Sequence, residues 1–581
     1  MARTQAQLGT LRSTLSMTGY ERATGSLIHL VPLAVILYLV LLPLAALVYS
    51  SLKASGSRLP FAVPGFSLAN FGLVFRGAAS GTVAFNTLIY VAGSLAWGLA
   101  LSLALTYLLE RTDLPGRSFL GAAVLSPLAV PHVVSGIAWL LLANPTNGPL
   151  SLLVRQLTGL TVDVYSLGGM IFLTGILAVP SMTLLIAPQM VRLDAALEEA
   201  AQTVGASWFQ RTRRIVLPLI SPALIAAGML LVIVALEAFD VPALLGYPKN
   251  LYVFSTLIQQ AVQPPNGTPN FGLASGYGVA LLVLALALVF GYRRAVGAAH
   301  RFRTIGGRSR PPALVKLGRW RPLAVALVLL YVLVAVVLPL LIVLWTSLLP
   351  FYRVPDLAAL ASLTLANYRA LLADPRIPAA AAHSLAIMLV TATATTALAC
   401  WAGWVSVRRR FTASWLPVEA SFLVIGVPGV VLGLSLMYLY LVLPIPIYGT
   451  VWIIVVAYVT RFLAFGVRLM DASFRQLDRE LEQAGQVVGA NGFTIARRIV
   501  LPLMFPAVWR GWLWVAVRSL GEVPMALLLV SNANRTLAVA LWQIWTVNAN
   551  YSQASALAVI LAAVSVGCIW LLRRQAGAEL A

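Results

Sequence analysis

Long apolar segments recur along the whole chain, and they constrain the fold more than any other feature. Many are about 20 residues or longer, enough for a helix to cross a hydrocarbon core of about 30 Å. Only helices and closed barrels satisfy every backbone polar group inside a bilayer, and the sequence lacks the alternation of a barrel strand. With 60% hydrophobic and 10% charged residues, the chain is predicted to be an all-α membrane protein.

About twelve segments are predicted to span the membrane, six in each half of the chain. The first six lie at 27–51, 83–109, 118–143, 166–192, 219–246 and 273–292. The second six lie at 321–349, 380–407, 415–443, 449–470, 504–530 and 554–574. The predicted halves are 1–292 and 321–581, joined by a basic linker, 293–320, that contains Gly and Pro but no apolar periodicity.

The net charge of +22 indicates topology rather than nucleic-acid binding. Basic residues gather at the N-terminus, in the linker, at 408–410 and at 573–574. This bias marks the cytoplasmic side, and an even number of spans places both termini there. Cys400 and Cys568 lie in predicted spans without metal-ligand spacing, so we expect no metal site.

The two halves share an ordered set of short matches. Asn70-Phe71 corresponds to Asn367-Tyr368, and Val130-Pro131 corresponds to Val427-Pro428, in each case 297 residues further along the chain. An even number of spans separates equivalent segments, so both halves cross the membrane in the same direction. This parallel duplication predicts a pseudo-twofold axis along the membrane normal, with a pathway between the halves.

A motif follows the fourth span of each half. The first copy contains Glu198-Glu199-Ala200-Ala201, then Gly205, nine further residues and Ile215-Val216-Leu217-Pro218. The second copy begins at Glu482 and repeats this spacing without a gap. Each copy predicts a short amphipathic helix, a turn that glycine permits, and a second short helix leading into the next span. Neighbouring arginines place both copies on the cytoplasmic face, where the alternative role is to stabilise the bundle.

This arrangement resembles the EAA loop of binding-protein-dependent ABC importers, whose pattern is Glu-Ala-Ala, three residues, Gly, nine residues, Ile-x-Leu-Pro. The resemblance implies a type I ABC importer permease fold in which loops 193–218 and 477–502 couple the permease to an ATPase. The implied coupling residues are Glu198, Glu199, Ala200, Ala201, Gly205, Leu217, Pro218, Glu482, Ala484, Gly489, Leu501 and Pro502. Gln483 and Gly485 depart from the pattern, which predicts that the second loop docks differently.

The sequence has no phosphate-binding Gly-x-x-x-x-Gly-Lys-Ser/Thr loop, so we expect no ATP hydrolysis, catalytic residue or bound cofactor in this chain. The resemblance implies that ATP and Mg bind a partner, a cytoplasmic ABC ATPase dimer. It also implies a periplasmic or lipid-anchored substrate-binding protein and a multi-pass location in the bacterial inner membrane. A secondary transporter would share the spans and the repeat, but two coupling motifs argue against that alternative.

Three acidic residues are the predicted substrate pathway: Glu237, Asp240 and Glu522. Ionisable groups within spans are costly, and they usually face a cavity, a partner charge or a pathway. Asp240 and Glu522 occupy equivalent places in the repeat, near the predicted axis. The alternative is structural, with Glu522 paired to Arg518 one turn earlier and the other two at the membrane surface.

A second resemblance concerns the substrate. Gly521-Glu522-Val523-Pro524, followed by Thr536-Leu537-Ala538 and Trp542, is similar to fused ferric-iron permeases, which commonly carry Glu-Leu-Pro at this place. The resemblance implies ferric iron as the substrate, and carboxylate oxygens are hard ligands that suit a hard cation. Fused permeases for thiamine, and relatives for phosphonate or polyamine, share the general plan, so these substrates stay open.

Overall fold

The computed structural model describes residues 19–191, 193, 195–264, 267–299, 314–408 and 414–578. Within these residues the chain is helical and forms no strand, which confirms the prediction of an all-α membrane protein. Ten of the described helices are long and apolar enough to cross a membrane, and an eleventh span is present if one strongly bent helix pair is counted as a single span.

The ten continuous spans lie within or close to ten of the predicted segments. Their bounds are Leu30–Ser51, Ser80–Arg111, Leu167–Val191, Phe209–Glu237, Phe271–Gly291, Gly318–Ser347, Arg376–Arg408, Val451–Gln476, Gly492–Leu520 and Tyr551–Cys568. The main shorter helices are Ala69–Arg76, Pro149–Thr158, Ala195–Thr203, Asp240–Gly246, Phe254–Val262, Ala366–Ala373, Leu416–Phe422, Arg479–Val487, Pro524–Leu529 and Leu537–Thr546.

The third span of each half is interrupted at the same place in the repeat. In the first half, Arg117–Ala129 and His132–Leu142 meet at 96° on either side of Pro131. In the second half, the helix Gly429–Val442 begins directly after Pro428. Proline donates no backbone hydrogen bond and disfavours the helical conformation of the residue before it. Ten of the twelve predicted spans are therefore continuous helices, and the bent pair gives an eleventh when it is counted as one span. The twelfth predicted segment, 415–443, consists of shorter helices among the described residues and does not form a span of its own.

Proline also accounts for an irregular turn in three spans. The π-helical segments Thr212–Val216, Leu333–Val337 and Ala496–Val500 each directly precede a Leu-Pro pair. The proline ring would clash with a carbonyl four residues earlier in a regular helix, and the wider π turn moves that carbonyl away. Two of these segments form the Ile-x-Leu-Pro ends of the predicted coupling loops.

Contacts group the chain into two compact units. The smaller unit comprises Met1–Leu44, Thr391–Ile425 and Tyr458–Val515. The larger unit comprises Ala45–Val390, Gly426–Ala457 and Ala516–Ala581. Each unit contains residues of both predicted halves, so the division into 1–292 and 321–581 stays a prediction about the repeat. Residues 300–313 of the predicted linker and Arg409 and Arg410 lie outside the described residues.

The core of the larger unit joins the second and fourth spans of the first half to the first span of the second half. Leu105, Val179, Val328 and Tyr331 are buried together there. The Tyr331 hydroxyl donates to the carbonyl oxygen of Ile176 at 3.3 Å, so this buried polar group is satisfied. Packing between these spans explains why both halves contribute to one compact unit.

The repeat is visible at the C-terminal ends of the two first spans. Asn70 Nδ2 donates to the carbonyl oxygens of Ser51 at 2.9 Å and Lys53 at 2.7 Å. Asn367 makes the same two contacts, at 2.9 and 2.7 Å, with the equivalent carbonyls of the second half. The last carbonyls of a helix lack partners within the helix, so each buried Asn satisfies two of them.

The described end of the linker is attached beside the second span of the first half. The Val315 N–H donates to the carbonyl oxygen of Arg111 at 2.9 Å. Asp113 accepts a hydrogen bond from the Leu317 N–H at 2.8 Å and pairs with Arg321. The Leu317 hydrogen bond, followed by the Arg321 contact, lowers the pKa of Asp113. The carboxylate is therefore charged at neutral pH and holds the linker in place.

The second and fourth spans of the first half cross closely because glycine lies at the crossing. A Cβ atom added at Gly98 would lie 3.1 Å from the carbonyl oxygen of Gly175 and 3.1 Å from a methyl group of Leu231. Small residues allow membrane helices to approach in this way. Gly81, on the same helix, has no such neighbour within 4 Å.

We expect Gly98→Leu to lower the free energy of unfolding by about 1–3 kcal/mol, because the larger side chain overpacks the crossing. Thermal unfolding of the detergent-purified protein measures the change. Gly81→Leu makes the same substitution on the same helix in open space and serves as the control. Equal destabilisation by the two variants would contradict the close-crossing interpretation.

Candidate functional site

Each coupling motif forms a helix that ends in a glycine turn. The helices Ala195–Thr203 and Arg479–Val487 are followed by Gly205 at φ 80° and Gly489 at φ 83°. In both turns, the N–H of the residue after the glycine donates to a carbonyl five residues earlier, at 3.0 Å. This pattern ends helices with a left-handed residue, a conformation that costs other residues about 1–2 kcal/mol.

The predicted coupling residues divide into an exposed set and a half-buried set. The exposed residues are Glu199, Ala200, Gly205, Pro218, Ala484, Gly489, Leu501 and Pro502. The half-buried residues are Glu198, Ala201, Leu217 and Glu482. Large apolar side chains are exposed beside them, with Val204 at 82% and Val487 at 87%. Such exposed apolar surface is typical of a surface that contacts a partner.

The structure gives a reason for one departure from the motif. Gly485 stands where the pattern has its second Ala, and it is buried in the smaller unit. A Cβ atom there would lie 2.9 Å from Ile499 Cδ1 and 3.1 Å from Ile495 Cγ1. Glycine therefore lets the coupling helix pack closely on the short helix that follows it. The structure gives no reason for Gln483.

Arginines at the ends of the second spans hold both coupling helices. Arg111 forms an ion pair with Glu198 in the larger unit. In the smaller unit, Arg408 Nε donates to Glu482 Oε1 at 2.6 Å. The motif by itself does not predict these partners. The available signal was an arginine ending the second span in both halves, again 297 residues apart.

A buried cavity of about 110 Å³ in the larger unit contains the three predicted pathway carboxylates. Glu237, Asp240 and Glu522 all line it, and so do Arg518 and His132. We name it the carboxylate cavity. The structure thus brings together acidic residues that lie far apart in the sequence, on the fifth spans of both halves.

Interruptions of helices create the carboxylate cavity. The fifth span of the first half ends at Glu237, before the helix Asp240–Gly246 begins. In the second half, the helix ends at Leu520 and the next one is Pro524–Leu529. The breaks of both third spans also line the cavity. Irregular backbone at membrane depth is tolerated where it lines a cavity.

Asp240 is the most unusual residue of the cavity. It is only 9% exposed, and its Oδ1 has no hydrogen-bond partner among the residues that the structure describes. Leaving a buried acceptor unpaired costs about 1–3 kcal/mol, and more when the group is charged. Within the described ranges, no three His, Cys, Asp or Glu residues form a group that could hold a metal ion. The cavity brings together carboxylates from both halves of the chain.

A second cavity of the larger unit, of about 350 Å³, is lined by aromatic side chains. We name it the aromatic vestibule, and its rings are Tyr165, Tyr247, Tyr352, Trp545 and Tyr551. Burial raises the pKa of Tyr352 to about 12, so its hydroxyl is neutral. That hydroxyl lies 2.8 Å from the Leu141 carbonyl oxygen and 2.9 Å from that of Asn147, and it donates toward both.

Two helices connect the cavities. His132–Leu142 and Asp240–Gly246 each contribute their first residues to the carboxylate cavity and later residues to the aromatic vestibule. A helix of 7 residues, such as the second of these, is about 10 Å long. Between the cavities, Leu244 packs so closely on Gly136 that an added Cβ would lie 2.6 Å from Leu244 Cδ1.

Comparison with known proteins places this architecture in a family. Residues 395–575 match the model for the binding-protein-dependent transport system inner membrane component. Over 284 residues the chain is 32% identical to the trehalose/maltose transport system permease protein MalF of Thermococcus litoralis, covering 47% of this chain and 93% of that protein. The chain belongs to this family of permeases.

Two further relatives are permease proteins whose names state a transported substrate. The permease is 24% identical over 492 residues to the Fe(3+)-transport system permease protein FbpB 2 of Haemophilus influenzae, covering 84% of this chain and 89% of that protein. It is 27% identical over 199 residues to the spermidine/putrescine transport system permease protein PotC of Escherichia coli, covering 34% of this chain and 74% of that protein. The predicted resemblance to fused ferric-type ABC importer permeases is confirmed.

The permease is a multi-pass inner-membrane protein with the helical fold expected of a type I importer subunit. Its family consists of transport subunits. Asp240 is buried within the protein, while the alternative that it lies near the periplasmic surface stays a prediction. The transport roles of Glu237, Asp240 and Glu522, and the coupling roles of the loop residues, stay predictions.

We expect Asp240→Asn to raise the thermal stability of the purified permease, by about 1 kcal/mol or more, because the neutral amide is less costly to bury unpaired than a carboxylate. The unfolding midpoint in detergent measures this. The control is Asp471→Asn, which removes a carboxylate paired to Arg475 at 2.9 Å and should bring no gain. A loss of stability in Asp240→Asn would show that the carboxylate stabilises the fold.

Proposed function

We propose that this permease forms the translocation pathway of an ATP-driven importer of ferric iron. The observation that carries the substrate assignment is the similarity to FbpB 2 over most of the length of both proteins. A cytoplasmic ABC ATPase dimer would bind ATP and Mg, and a periplasmic or lipid-anchored binding protein would deliver the iron. The basic residues support a topology with both termini in the cytoplasm.

The pathway we propose runs from the aromatic vestibule to the carboxylate cavity. Iron would pass between His132–Leu142 and Asp240–Gly246 when Leu244 moves away from Gly136. Three carboxylates against one arginine favour a cation in the carboxylate cavity, and carboxylate oxygens are suited to a hard cation. A cation in transit must be held weakly enough to leave on the other side.

The two loops, 193–218 and 477–502, would seat on the ATPase subunits. Their exposed apolar side chains and glycine turns support this role. Closure of the ATPase dimer would favour one of two arrangements of the spans, and ligand binding shifts such equilibria only through differential contacts. Two coupling loops in one chain favour an ATP-driven importer over a secondary transporter.

A polyamine is the second candidate substrate. The similarity to PotC supports it, although that match covers about a third of the chain. Polyamines are cations, so the carboxylates and aromatic rings that we assign to the pathway also fit them. Thiamine and phosphonate remain useful competitors in the uptake experiment below.

The coupling assignment predicts that Gly205→Asp weakens binding of the ATPase. The left-handed turn would cost about 1–2 kcal/mol with a side chain present, which corresponds to roughly 5- to 30-fold in affinity. Copurification of the neighbouring ATPase on the tagged permease measures it. Gly116→Asp is the matched control, since Gly116 has φ 66° and an open surrounding outside both motifs. Normal ATPase binding by Gly205→Asp would refute the coupling assignment.

The pathway assignment predicts that the double variant Asp240→Asn/Glu522→Gln assembles but takes up iron at least about tenfold more slowly, a change of ~1.4 kcal/mol in the barrier. Uptake of radiolabelled ferric iron by cells with the permease, its ATPase and its binding protein measures this, with spermidine, thiamine and phosphonate as competitors. Asp471→Asn is the control. Normal iron uptake by the double variant would show that the carboxylates have a structural role instead of a role in the pathway. Loss of iron uptake in the presence of spermidine would favour a polyamine as the substrate.

A further inference from the structure

The ion pair between Arg111 and Glu198 is buried and joins distant parts of the first half. Arg111 is the last residue of the second span and is only 1% exposed, while Glu198 lies in the coupling helix. The guanidinium also donates from Nη1 to the carbonyl oxygen of Met190 at 3.5 Å, near the end of the fourth span. One side chain therefore contacts both the coupling helix and the fourth span.

The second half has the same arrangement, within the smaller unit. Arg408 is the last residue of its second span, and its Nε lies 2.6 Å from Glu482 Oε1. Its Nη2 donates to the carbonyl oxygen of Leu477 at 2.8 Å, just before the coupling helix. In both halves, the arginine that ends the second span thus contacts a glutamate of the coupling helix and a backbone carbonyl. The arginines and glutamates are equivalent in the repeat, whereas the carbonyls of Met190 and Leu477 are not.

These pairs differ from ordinary surface ion pairs. An exposed pair contributes little to stability, whereas a buried pair must offset the cost of taking two charges out of water. Arginine suits such a site because its planar group donates to several acceptors at fixed angles. Both pairs occur even though the neighbouring positions differ, with Glu199 in one loop and Gln483 in the other. The pair is therefore present in both loops although the residue after the glutamate differs.

The chain itself connects each coupling loop only to the fourth and fifth spans. The second span already packs along the fourth span in both halves, close to glycines such as Gly98 and Gly403. The ion pair adds a direct contact between the second span and the loop, between residues that are 87 positions apart in the first half and 74 in the second. In the first half, the Arg111 carbonyl also accepts the N–H of Val315, so the linker is attached at the same point. The exposed residues of the loop, such as Val204, remain free of this contact network.

We propose that Arg111–Glu198 and Arg408–Glu482 are positioning pairs that carry movement of each coupling loop to the second span of its own half. The inference rests on the proposed coupling function of the loops. With the pairs intact, the second span moves together with the loop when the ATPase closes. Without them, the loop still docks and ATP is still hydrolysed, but the second span is linked to the loop only through its packing on the fourth span and follows the loop less completely.

The first test separates transport from ATP hydrolysis in liposomes that contain the permease, its ATPase and the loaded binding protein. We expect Glu198→Gln/Glu482→Gln to bind the ATPase normally and to hydrolyse ATP, with the iron taken up per ATP hydrolysed reduced about fivefold or more. The charge-swapped variant Arg408→Glu/Glu482→Arg should take up more iron per ATP hydrolysed than Arg408→Glu alone. Asp471→Asn, which removes another ion pair near the same end of the bundle, should leave the ratio unchanged.

An unchanged ratio in Glu198→Gln/Glu482→Gln would overturn the proposal, and so would a charge-swapped variant no better than the single one. Wild-type liposomes without uptake or without ATP hydrolysis would instead refute the proposed function.

A second measurement needs no ion-pair variant. Spin labels on the exposed Ala104 and Thr203 report the distance between second span and coupling loop, which we expect to stay constant with and without ATP. A distance that changes on ATP addition would overturn the proposal.

Discussion

Backbone hydrogen bonding in the hydrocarbon layer is the constraint on which the rest of the structure depends. Ten described spans satisfy it with continuous helices. Where the helices are interrupted, in the third and fifth spans of both halves, the interruptions line one shared cavity. Water and polar side chains can satisfy the freed backbone groups there, whereas lipid cannot. The carboxylate cavity therefore follows from the same constraint that makes the remainder of the protein helical.

The ends of the helices show how the duplication has been kept. Asn70 and Asn367 satisfy equivalent carbonyls, and Gly205 and Gly489 end equivalent helices with the same turn. Each helix end leaves backbone groups without partners within the helix, and equivalent residues satisfy these groups in both halves. The asparagine hydrogen bonds and the glycine turns are local features, and they are the most regular part of the repeat.

The halves differ where the functional proposals lie. The first half contributes two carboxylates to the cavity, Glu237 and Asp240, and the second contributes Glu522. In the part of the chain that the structure describes, the linker is attached beside the second span of the first half. An unpaired buried carboxylate reduces stability, and natural proteins tolerate such a cost mainly at functional sites. The asymmetry of the cavity is thus consistent with the pathway role that we propose for its carboxylates.

The sequence by itself determined the class of fold and the approximate position of most spans, and it predicted the repeat and the two coupling motifs. These depend on apolar runs and short spacings, which report local structure directly. It did not reveal that both third spans break, because Pro131 and Pro428 stand in apolar runs that read as continuous. It named Asp240 and Glu522, but not the cavity that they share with Arg518 and His132. The tertiary structure alone decided those contacts, and those of Arg111 and Arg408, because packing brings together residues that the chain separates by many positions.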